Sequence, residues 1–499
     1  MIQMDENTIE QSKSYSQIAK GFGLFGGVQV FGVLISIIRS KFVAVLLGTT
    51  GIGILGLFIS TIGMLAAGAN LGLNVSAVST ISKAMVDDDQ SLLSRNILTI
   101  KRWIFLTALL GVILTLALSN KLSIWVFGND NYTWSFVWLS ITLFFQTLSS
   151  GQSALLQGMR RLKELATVGI LGSTVGLLLS ILLFYFLGLK GIVPSLILTA
   201  ISTSVISWYF VRKIKIDNVQ ITLYKSFTDG LDMVKLGMVF LITNLVGSGV
   251  LYITQIFINK TGGLDQLGLY LSSFAIINGY FGMIFTAMGT DLFPRISAIS
   301  NDNIEVKKLI NQQSEIMILI LAPILIFLIS SLPLVIKILL TPKFLPIIEM
   351  MKWAILGVVF QAVSYPIGLA FAAKGFKKMY FFIVMSLHAI TLIAYIILYH
   401  FLKLEGIGIA FLLVQFLFLF IILRLANYKF SFTYHNVFIK LFLVQLLLIT
   451  IAFLIVWIYG FPIAYFTGVL ITIFSIFYSY FELKKRIDFN VIIRKIKRK

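Results

Sequence analysis

The chain has 499 residues with 58% hydrophobic and only 12% charged side chains, whereas soluble globular proteins carry about 25% charged residues, so the composition excludes a soluble protein. The formal net charge is +20, but the basic residues lie in short loops between apolar runs, a distribution that speaks against a nucleic-acid-binding surface. The chain has no cysteine, which excludes a disulfide framework and a thiolate metal site.

Apolar runs that are long enough to cross a hydrocarbon core of ~30 Å recur along the whole chain. They predict an all-α polytopic membrane protein with about fourteen transmembrane helices. The polar N-terminal segment has neither the basic start nor the cleavage site of a signal peptide, so we expect the first span to be retained. The predicted spans are 21–47, 52–81, 103–127, 134–158, 165–189, 191–211, 234–259, 267–292, 316–340, 347–373, 378–402, 406–427, 437–459 and 462–481.

The basic residues predict the orientation of these spans. If the N-terminal tail and every second loop share one side of the membrane with the C-terminal tail, that side holds 31 of the 40 Lys and Arg residues. The positive-inside rule then places both termini in the cytoplasm, with very short loops on the outer face. Five tryptophans near predicted span ends fit an interfacial aromatic belt; they are Trp103, Trp125, Trp134, Trp208 and Trp457.

The chain repeats itself at an offset of about 215 residues. "LGLFIS" at Leu55 returns as "LGLYLSS" at Leu267, and "FQTLSSGQSALLQGMRR" at Phe145 is echoed by "FQAVSYPIGLAFAAKGFKK" at Phe360. The repeated unit is six spans, an even number, so we expect two parallel lobes related by an axis along the membrane normal, around a central cavity. We predict an N-lobe at 1–215, a C-lobe at 216–430, and two extra spans with a basic tail at 431–499.

Two further segments carry a family resemblance. They are "IIRSKFVAVLLGTTGIGILGLF" at the first hairpin and "AMGTDLFPRISAIS" at the end of the eighth span. With the two-lobe repeat, they resemble the multidrug/oligosaccharidyl-lipid/polysaccharide (MOP) exporter superfamily, and within it the Wzx-type O-antigen and capsule flippases. The resemblance covers essentially the whole chain.

The resemblance implies a transporter rather than an enzyme, in the bacterial cytoplasmic membrane. Such a protein moves undecaprenyl-diphosphate-linked oligosaccharides from the inner to the outer leaflet for O-antigen, capsule or exopolysaccharide biosynthesis. The implied partners are that lipid, anionic membrane lipids and a polysaccharide polymerase, without nucleic acid. No cofactor is implied beyond a coupling ion, H⁺ or Na⁺.

The lipid II flippases are a related branch that carries cavity arginines on spans 1, 2 and 8. Arg39 lies where one span-1 arginine of that pattern falls. The second span, however, reads "MLAAGANLG" and the eighth reads "FAIINGYFG", neither with an arginine. This departure favours the Wzx-type interpretation over the lipid II interpretation.

Arg39 and Lys41 interrupt the first apolar run. A charge inside a membrane span is costly unless it faces water, pairs or reaches an interface. The two residues are about 200° apart around a helix, so they do not share a face. A guanidinium stays charged and can hold two phosphate oxygens at once, so we expect Arg39 to bind a diphosphate headgroup. The alternative for Arg39, and the expectation for Lys41, is snorkelling to the interface.

Polar side chains at membrane depth are candidates for binding sugar hydroxyls, with hydrogen bonding between helices as the alternative. His388 in the eleventh span is a candidate for proton coupling, with a neutral core histidine as the alternative. The candidates for substrate binding besides Arg39 are Asn70, Asn74, Gln255 and Asn278; Gln29 and Asn244 are polar residues at similar depth.

Charged residues near the inner ends of the lobes are candidates for gating. Asp291 and Arg295 are four residues apart in the eighth span, a spacing that allows an ion pair which either changes with an inner gate or stays static. Basic residues at equivalent positions of the two lobes are candidates for gathering anionic headgroups, although positive-inside topology also accounts for them. They are Arg160, Arg161, Lys377 and Lys378.

The chain contains no Walker, G-x-S-x-G or H-E-x-x-H motif, so ATP hydrolysis and the common hydrolase chemistries have no residues here. We therefore expect a secondary flippase that works by alternating access and uses an ion gradient or the membrane potential. One alternative is a drug/cation antiporter, which would need an acidic cavity. Another is a membrane polysaccharide polymerase, which usually carries a large outer loop.

Overall fold

A computed structural model describes residues 6–86, 90–214, 217, 219 and 221–485, with side chains from residue 31 onward except those of 33, 86, 236, 239, 240, 243 and 377. Throughout these ranges the regular elements are helical, without a β-strand. Two 3₁₀ turns, Gly188–Gly191 and Pro342–Phe344, lie between longer helices. The α-helices are Glu6–Ala69 (α1), Leu73–Val86 (α2), Gln90–Phe127 (α3), Thr133–Gly158 (α4), Leu162–Leu187 (α5), Ile192–Val211 (α6), Leu223–Ala298 (α7), Asn303–Leu339 (α8), Ile347–Ala373 (α9), Lys377–Phe430 (α10), Asn436–Tyr459 (α11) and Phe461–Lys484 (α12).

Three long helices each contain two of the predicted spans, joined at one residue with a left-handed φ. The residue is Gly48 in α1 (φ 68°, ψ −164°), Gly263 in α7 (φ 80°, ψ 175°) and Lys403 in α10 (φ 52°, ψ −134°). A backbone in this conformation leaves the α-helical path, so each of the three helices has two arms. The arms correspond to spans 1 and 2, 7 and 8, and 11 and 12 of the sequence prediction.

The predicted spans agree well with the helices. Nine stretches of the described chain are long and apolar enough to cross a membrane, and they overlap every predicted span except the fourth, although the first, second and seventh spans are covered only in part. That span coincides with α4, whose Ser, Thr and Gln residues interrupt its apolar stretches. The second predicted span, 52–81, is interrupted in the structure, because α1 ends at Ala69 and α2 begins at Leu73. The chain is a polytopic helical membrane protein.

The chain divides into two compact units. The first, Met1–Gly268, contains α1 to α6 and the beginning of α7. An apolar core joins α2, α3, α4 and α7 within it; among its members are Leu73, Ile97, Leu155 and Met233. The predicted boundary between the lobes at 215 lies inside this unit and stays a prediction.

The second unit, Leu269–Lys499, contains the rest of α7 and α8 to α12. Its core includes Leu292, Ile310, Phe371 and Ile422, which come from α7, α8, α9 and α10. On α12 large apolar side chains lie on the surface instead; Phe466 is 81% exposed and Leu470 68%. In a membrane-spanning protein such faces contact lipid.

The local backbone follows the repeat seen in the sequence. Left-handed φ values recur at positions 215 residues apart, at Gly48 and Gly263, Arg160 and Gly375, and Gly188 and Lys403. The last pair also shares ψ, at −132° for Gly188 and −134° for Lys403. Equivalent helix breaks are therefore built by the same backbone conformation even where the residue type differs.

Candidate functional site

The break between α1 and α2 brings these helices against α7. Leu71 and Gly72 have left-handed backbones (φ 51° and 74°), so the α-helix is interrupted there. A Cβ on Gly72 would lie 2.3 Å from the carbonyl oxygen of Gly237, and a Cβ on Gly237 would lie 2.6 Å from that of Gly72. Only a pair of glycines allows the two backbones to approach this closely.

A polar pocket of about 260 Å³ lies beside this contact, within the first unit. On the α7 side it is lined by Leu241 and Asn244, which follow Gly237 on the same helix face. The polar lining consists of four amides and two hydroxyls, and the described lining contains no charged side chain. These polar residues are Asn70, Asn74, Gln146, Thr147, Ser150 and Asn244.

Much of the hydrogen-bonding capacity of this pocket is unused. The hydroxyl of Ser150 donates to the backbone carbonyl of Thr147 at 2.9 Å. The buried side-chain oxygens of Asn74 and Thr147, in contrast, have no hydrogen-bond partner in the described structure. The side chains of the remaining three amides also bond to no described residue. Amides at membrane depth that bond to no protein group face water or a ligand.

Arg39 lies in the first arm of α1, before the break at Gly48. Its side chain is half-buried and makes no ion pair or hydrogen bond with any described residue. It does not line the polar pocket. Lys41 is also half-buried. The guanidinium of Arg39 is therefore uncommitted but separate from the amide cluster.

The breaks at Gly48 and Gly263 meet each other within the first unit. The hydroxyls of Thr49 and Thr50 both donate to Oδ1 of Asp265, at 2.5 Å and 2.6 Å. One carboxylate oxygen thus joins the break in α1 to the break in α7. Hydrogen bonds to an ionised acceptor are stronger than those between neutral groups, but Asp265 is exposed, so this contact specifies which turns meet rather than adding much stability.

The same two turns also approach through their backbones. A Cβ on Gly53 would lie 2.3 Å from the carbonyl oxygen of Leu264, and a Cβ on Gly268 would lie 1.9 Å from that of Thr49. Gly268 follows Gly53 by 215 residues, and Leu264 follows Thr49 by the same number. The repeat therefore makes the same glycine-to-carbonyl contact twice.

The other candidates for substrate binding and coupling do not join the polar pocket. Gln255 is only 8% exposed, and its Oε1 has no described partner. Asn278 is exposed and belongs to the second unit, as does the half-buried His388. The side chain of Gln29 lies outside the described residues. The roles predicted for these residues stay predictions.

The candidate gating residues lie at helix ends. Arg295 donates to Asp291 at 3.1 Å across an exposed turn of α7, which continues past Pro294. Arg160 is exposed and has a left-handed backbone, and Arg161 is 4.0 Å from Glu164. Lys378 is exposed, and the side chain of Lys377 lies outside the described residues. The gating roles of these residues stay predictions.

The sequence analysis did not single out several residues that the structure brings to these sites. Gln146, Thr147 and Ser150 lie in the repeated "FQTLSSGQ" segment, where polar residues inside an apolar span were the available signal. Thr50 and Asp265 lie in short turns, and no local pattern indicates that one turn contacts the other. Among the described residues no three His, Asp or Glu side chains are grouped as metal ligands would be.

A family model for "polysaccharide biosynthesis protein" matches residues 42–349. The match includes both arms of α7 and all of the polar pocket. A comparison with curated protein sequences gives no match.

Several solved structures have the same fold. An inward closed structure of the lipid II flippase MurJ is 15% identical, with 93% of this chain and 99% of that chain covered at a TM-score of 0.70. An inward-facing multidrug resistance MATE family transporter of the MOP superfamily is 15% identical over 81% of this chain and 94% of that chain, with a TM-score of 0.65. A MOP superfamily transporter from Pyrococcus furiosus is 17% identical over 82% and 94%, with a TM-score of 0.56.

At these identities the likeness to solved structures concerns the fold. The family match covers more than half of the chain. The chain therefore belongs to the polysaccharide biosynthesis protein family and has the fold of MOP-superfamily transporters.

Proposed function

We propose that this protein is a flippase that moves undecaprenyl-diphosphate-linked oligosaccharide units from the inner to the outer leaflet of the bacterial cytoplasmic membrane. The observation that carries the proposal is an uncharged polar pocket inside a membrane-spanning unit of a polysaccharide biosynthesis protein. Sugar hydroxyls can bond to its amides, while the polyprenyl tail stays in the lipid. The shared fold with a lipid II flippase supports a lipid-linked cargo.

The predicted orientation of the spans allows us to infer the depth of the pocket in the membrane. With both termini in the cytoplasm, the Gly48 break faces outward. Asn70 comes directly after the last residue of α1, and a rise of 1.5 Å per residue from Gly48 puts the pocket about 33 Å away along the helix. The pocket therefore lies toward the cytoplasmic side, where a newly assembled lipid-linked glycan enters.

Arg39 is the residue that we assign to the diphosphate. The same helical rise puts it about 13 Å from the Gly48 break, deeper in the membrane than an interfacial cation. It is half-buried and uncommitted, and a guanidinium can bond to two phosphate oxygens at once. A single cation also allows release, because a site must hold its cargo weakly enough to deliver it.

The lining of the pocket speaks against drug/cation antiport. An organic cation at membrane depth needs a carboxylate partner, and the described lining has none. A lipid II flippase would use the same scaffold. The experiment therefore includes lipid II as a second cargo.

The test is flipping by the purified protein in liposomes. Fluorescent undecaprenyl-diphosphate oligosaccharide and lipid II are offered to wild type, Arg39→Ala, Arg39→Lys and Lys41→Ala, with and without an imposed ion gradient or potential. We expect Arg39→Ala to lower the flipping rate at least tenfold, Arg39→Lys to lie between it and wild type, and Lys41→Ala to stay close to wild type.

Each result bears on a different part of the proposal. Equal rates for wild type and Arg39→Ala would remove Arg39 from the diphosphate site. Preference for lipid II would move the protein to the lipid II branch. If wild type flips neither lipid under any gradient, the flippase proposal fails.

A further inference from the structure

Four cavities can be compared among the described residues. Only the polar pocket has several amides and no charged side chain in its described lining. The cavity beside α3 contains Arg95 and Lys225, and the aromatic one at α4 contains Lys190. The cavity near α11 contains Glu315 and Lys485. An uncharged lining rich in amides therefore distinguishes the polar pocket from the other three cavities.

Several polar groups that line the pocket have no hydrogen-bond partner in the described structure. Thr147 is only 3% exposed, yet its hydroxyl oxygen has no described partner, and the same holds for the buried Oδ1 of Asn74. A buried polar group without a hydrogen bond destabilises the protein. Gln146 and Asn244 present their amides at the exposed side of the pocket. Unpaired donors and acceptors on both sides of one small cavity indicate a ligand with several hydroxyl or amide groups.

The size of the pocket limits what it holds. Its volume of about 260 Å³ is just below the range of ~300–1,000 Å³ that small-molecule sites occupy. One sugar ring fits such a volume, whereas a longer oligosaccharide would extend beyond it. The pocket therefore contacts one ring of the glycan.

The absence of charge selects among sugars. A uronic or sialic acid would bring a carboxylate to a pocket with no cation in its described lining, so no ion pair would offset the desolvation of its charge. A neutral hexose or N-acetylhexosamine brings only hydroxyl and amide groups, which match Asn, Gln, Ser and Thr side chains. A site built to bond to hydroxyls also discriminates strongly against a ligand that lacks them.

We propose that the pocket lined by Asn70, Asn74, Gln146, Thr147, Ser150 and Asn244 binds one uncharged sugar ring of the lipid-linked glycan and excludes an acidic sugar at that position. This proposal rests on the proposed flippase function and names the substrate class of the same site. Arg39 does not line this pocket, so we expect removal of the pocket amides to leave binding of the diphosphate itself unchanged.

Binding rather than flipping tests this proposal. The dissociation constants of three probes are measured with the purified full chain in nanodiscs: undecaprenyl diphosphate, its N-acetylglucosamine derivative and its glucuronic acid derivative. We expect the N-acetylglucosamine lipid to bind at least tenfold more tightly than the glucuronic acid lipid. The variants Asn244→Leu and Gln146→Leu remove exposed amides, so they leave the packing intact. Each should weaken N-acetylglucosamine lipid binding about tenfold and leave undecaprenyl diphosphate binding unchanged.

Gln157→Leu is the matched control, because Gln157 is an exposed amide on α4 outside the pocket; its affinities should equal those of wild type. Equal binding of the two sugar lipids by wild type would overturn the sugar subsite while leaving the flippase proposal standing. Loss of undecaprenyl diphosphate binding in the pocket variants would also overturn it. If wild type binds none of the three probes, both proposals fail together.

Discussion

Asp265 joins the turn at Gly48 in α1 to the turn at Gly263 in α7. Its Oδ1 accepts hydrogen bonds from both Thr49 and Thr50. Asp265 itself is exposed, so water can replace these bonds at small cost, since exposed polar contacts contribute little net stability. A contact that is specific but easily replaced is suited to opening and closing.

We predict that covalent closure of this contact stops transport. Because the chain has no cysteine, the double variant Thr50→Cys/Asp265→Cys carries the only two thiols and can be joined by oxidation or by a short bis-maleimide. The oxidised protein should lose nearly all flipping activity, since the turns could no longer separate, and reduction of the disulfide should restore it. Flipping in liposomes is measured before and after reduction.

The two single-cysteine variants serve as controls for the cross-link. They should respond little to oxidant, which separates the effect of the bond from the loss of either side chain. If the cross-linked protein flips lipid at the rate of its reduced form, these turns do not open during transport and the contact is purely structural.

Individual residues also show what sequence reasoning can reach, although the binding roles of the predicted residues stay predictions. Asn70 and Asn74 were predicted from polarity at membrane depth, and the structure brings them together with Asn244 in one pocket. The same criterion selected Asn278, which lies exposed in the second unit. Polarity indicates which side chains need a partner, but only the packing of helices distant in sequence decides which of them share a cavity.

The contact between Gly72 and Gly237 fixes the relation of the α1–α2 break to α7. Each glycine lies where a Cβ would be under 3 Å from backbone atoms of the other. Backbone cannot move aside as the end of a side chain can. A substitution here must therefore separate the helices and widen or distort the polar pocket beside them.

We predict that Gly237→Ala destabilises the protein by ~1–3 kcal/mol, the usual cost of overpacking, and lowers affinity for the sugar-bearing lipid. The matched control is Gly249→Ala in the same helix. A Cβ there would meet only the terminal methyl of Met64, at 3.6 Å, so this change should be neutral or stabilising by up to ~1 kcal/mol. Thermal unfolding of the purified variants measures the difference. Equal midpoints for the two variants would contradict the close contact.

The helices themselves were largely predictable, because length and apolarity set the limits of a membrane span. The break at 70–72 was not predicted, although "GANLGLN" contains glycine and asparagine inside the apolar run. Such residues also pack helices closely without breaking them. The choice between packing and breaking depends on Gly237, more than 160 residues away, and no local pattern carries that information.

The repeat organises the whole molecule at the level of the backbone. Gly188 (φ 55°, ψ −132°) and Lys403 (φ 52°, ψ −134°) adopt nearly the same conformation at equivalent helix breaks. This region of φ and ψ favours glycine strongly. The first copy of the repeat has the favourable residue there, and the second copy has a lysine, whose Nζ lies 5.7 Å from the ring centre of Tyr399.

The repeat therefore predicts how substitutions at the two positions differ. Lys403→Ala loses the cation–π contact, worth ~0.5–1 kcal/mol, and keeps the strained backbone. Lys403→Gly loses the same contact but relieves strain of ~1–3 kcal/mol, so it should unfold at a higher temperature than Lys403→Ala. At the equivalent position, where a Cβ would meet nothing within 4 Å, Gly188→Ala should destabilise through conformation alone. The thermal midpoints of wild type and of these three variants test the helix breaks in both copies of the repeat. If Lys403→Ala and Lys403→Gly unfold at the same temperature, the backbone at position 403 is not strained. The two helix breaks would then be equivalent in sequence position but not in backbone conformation.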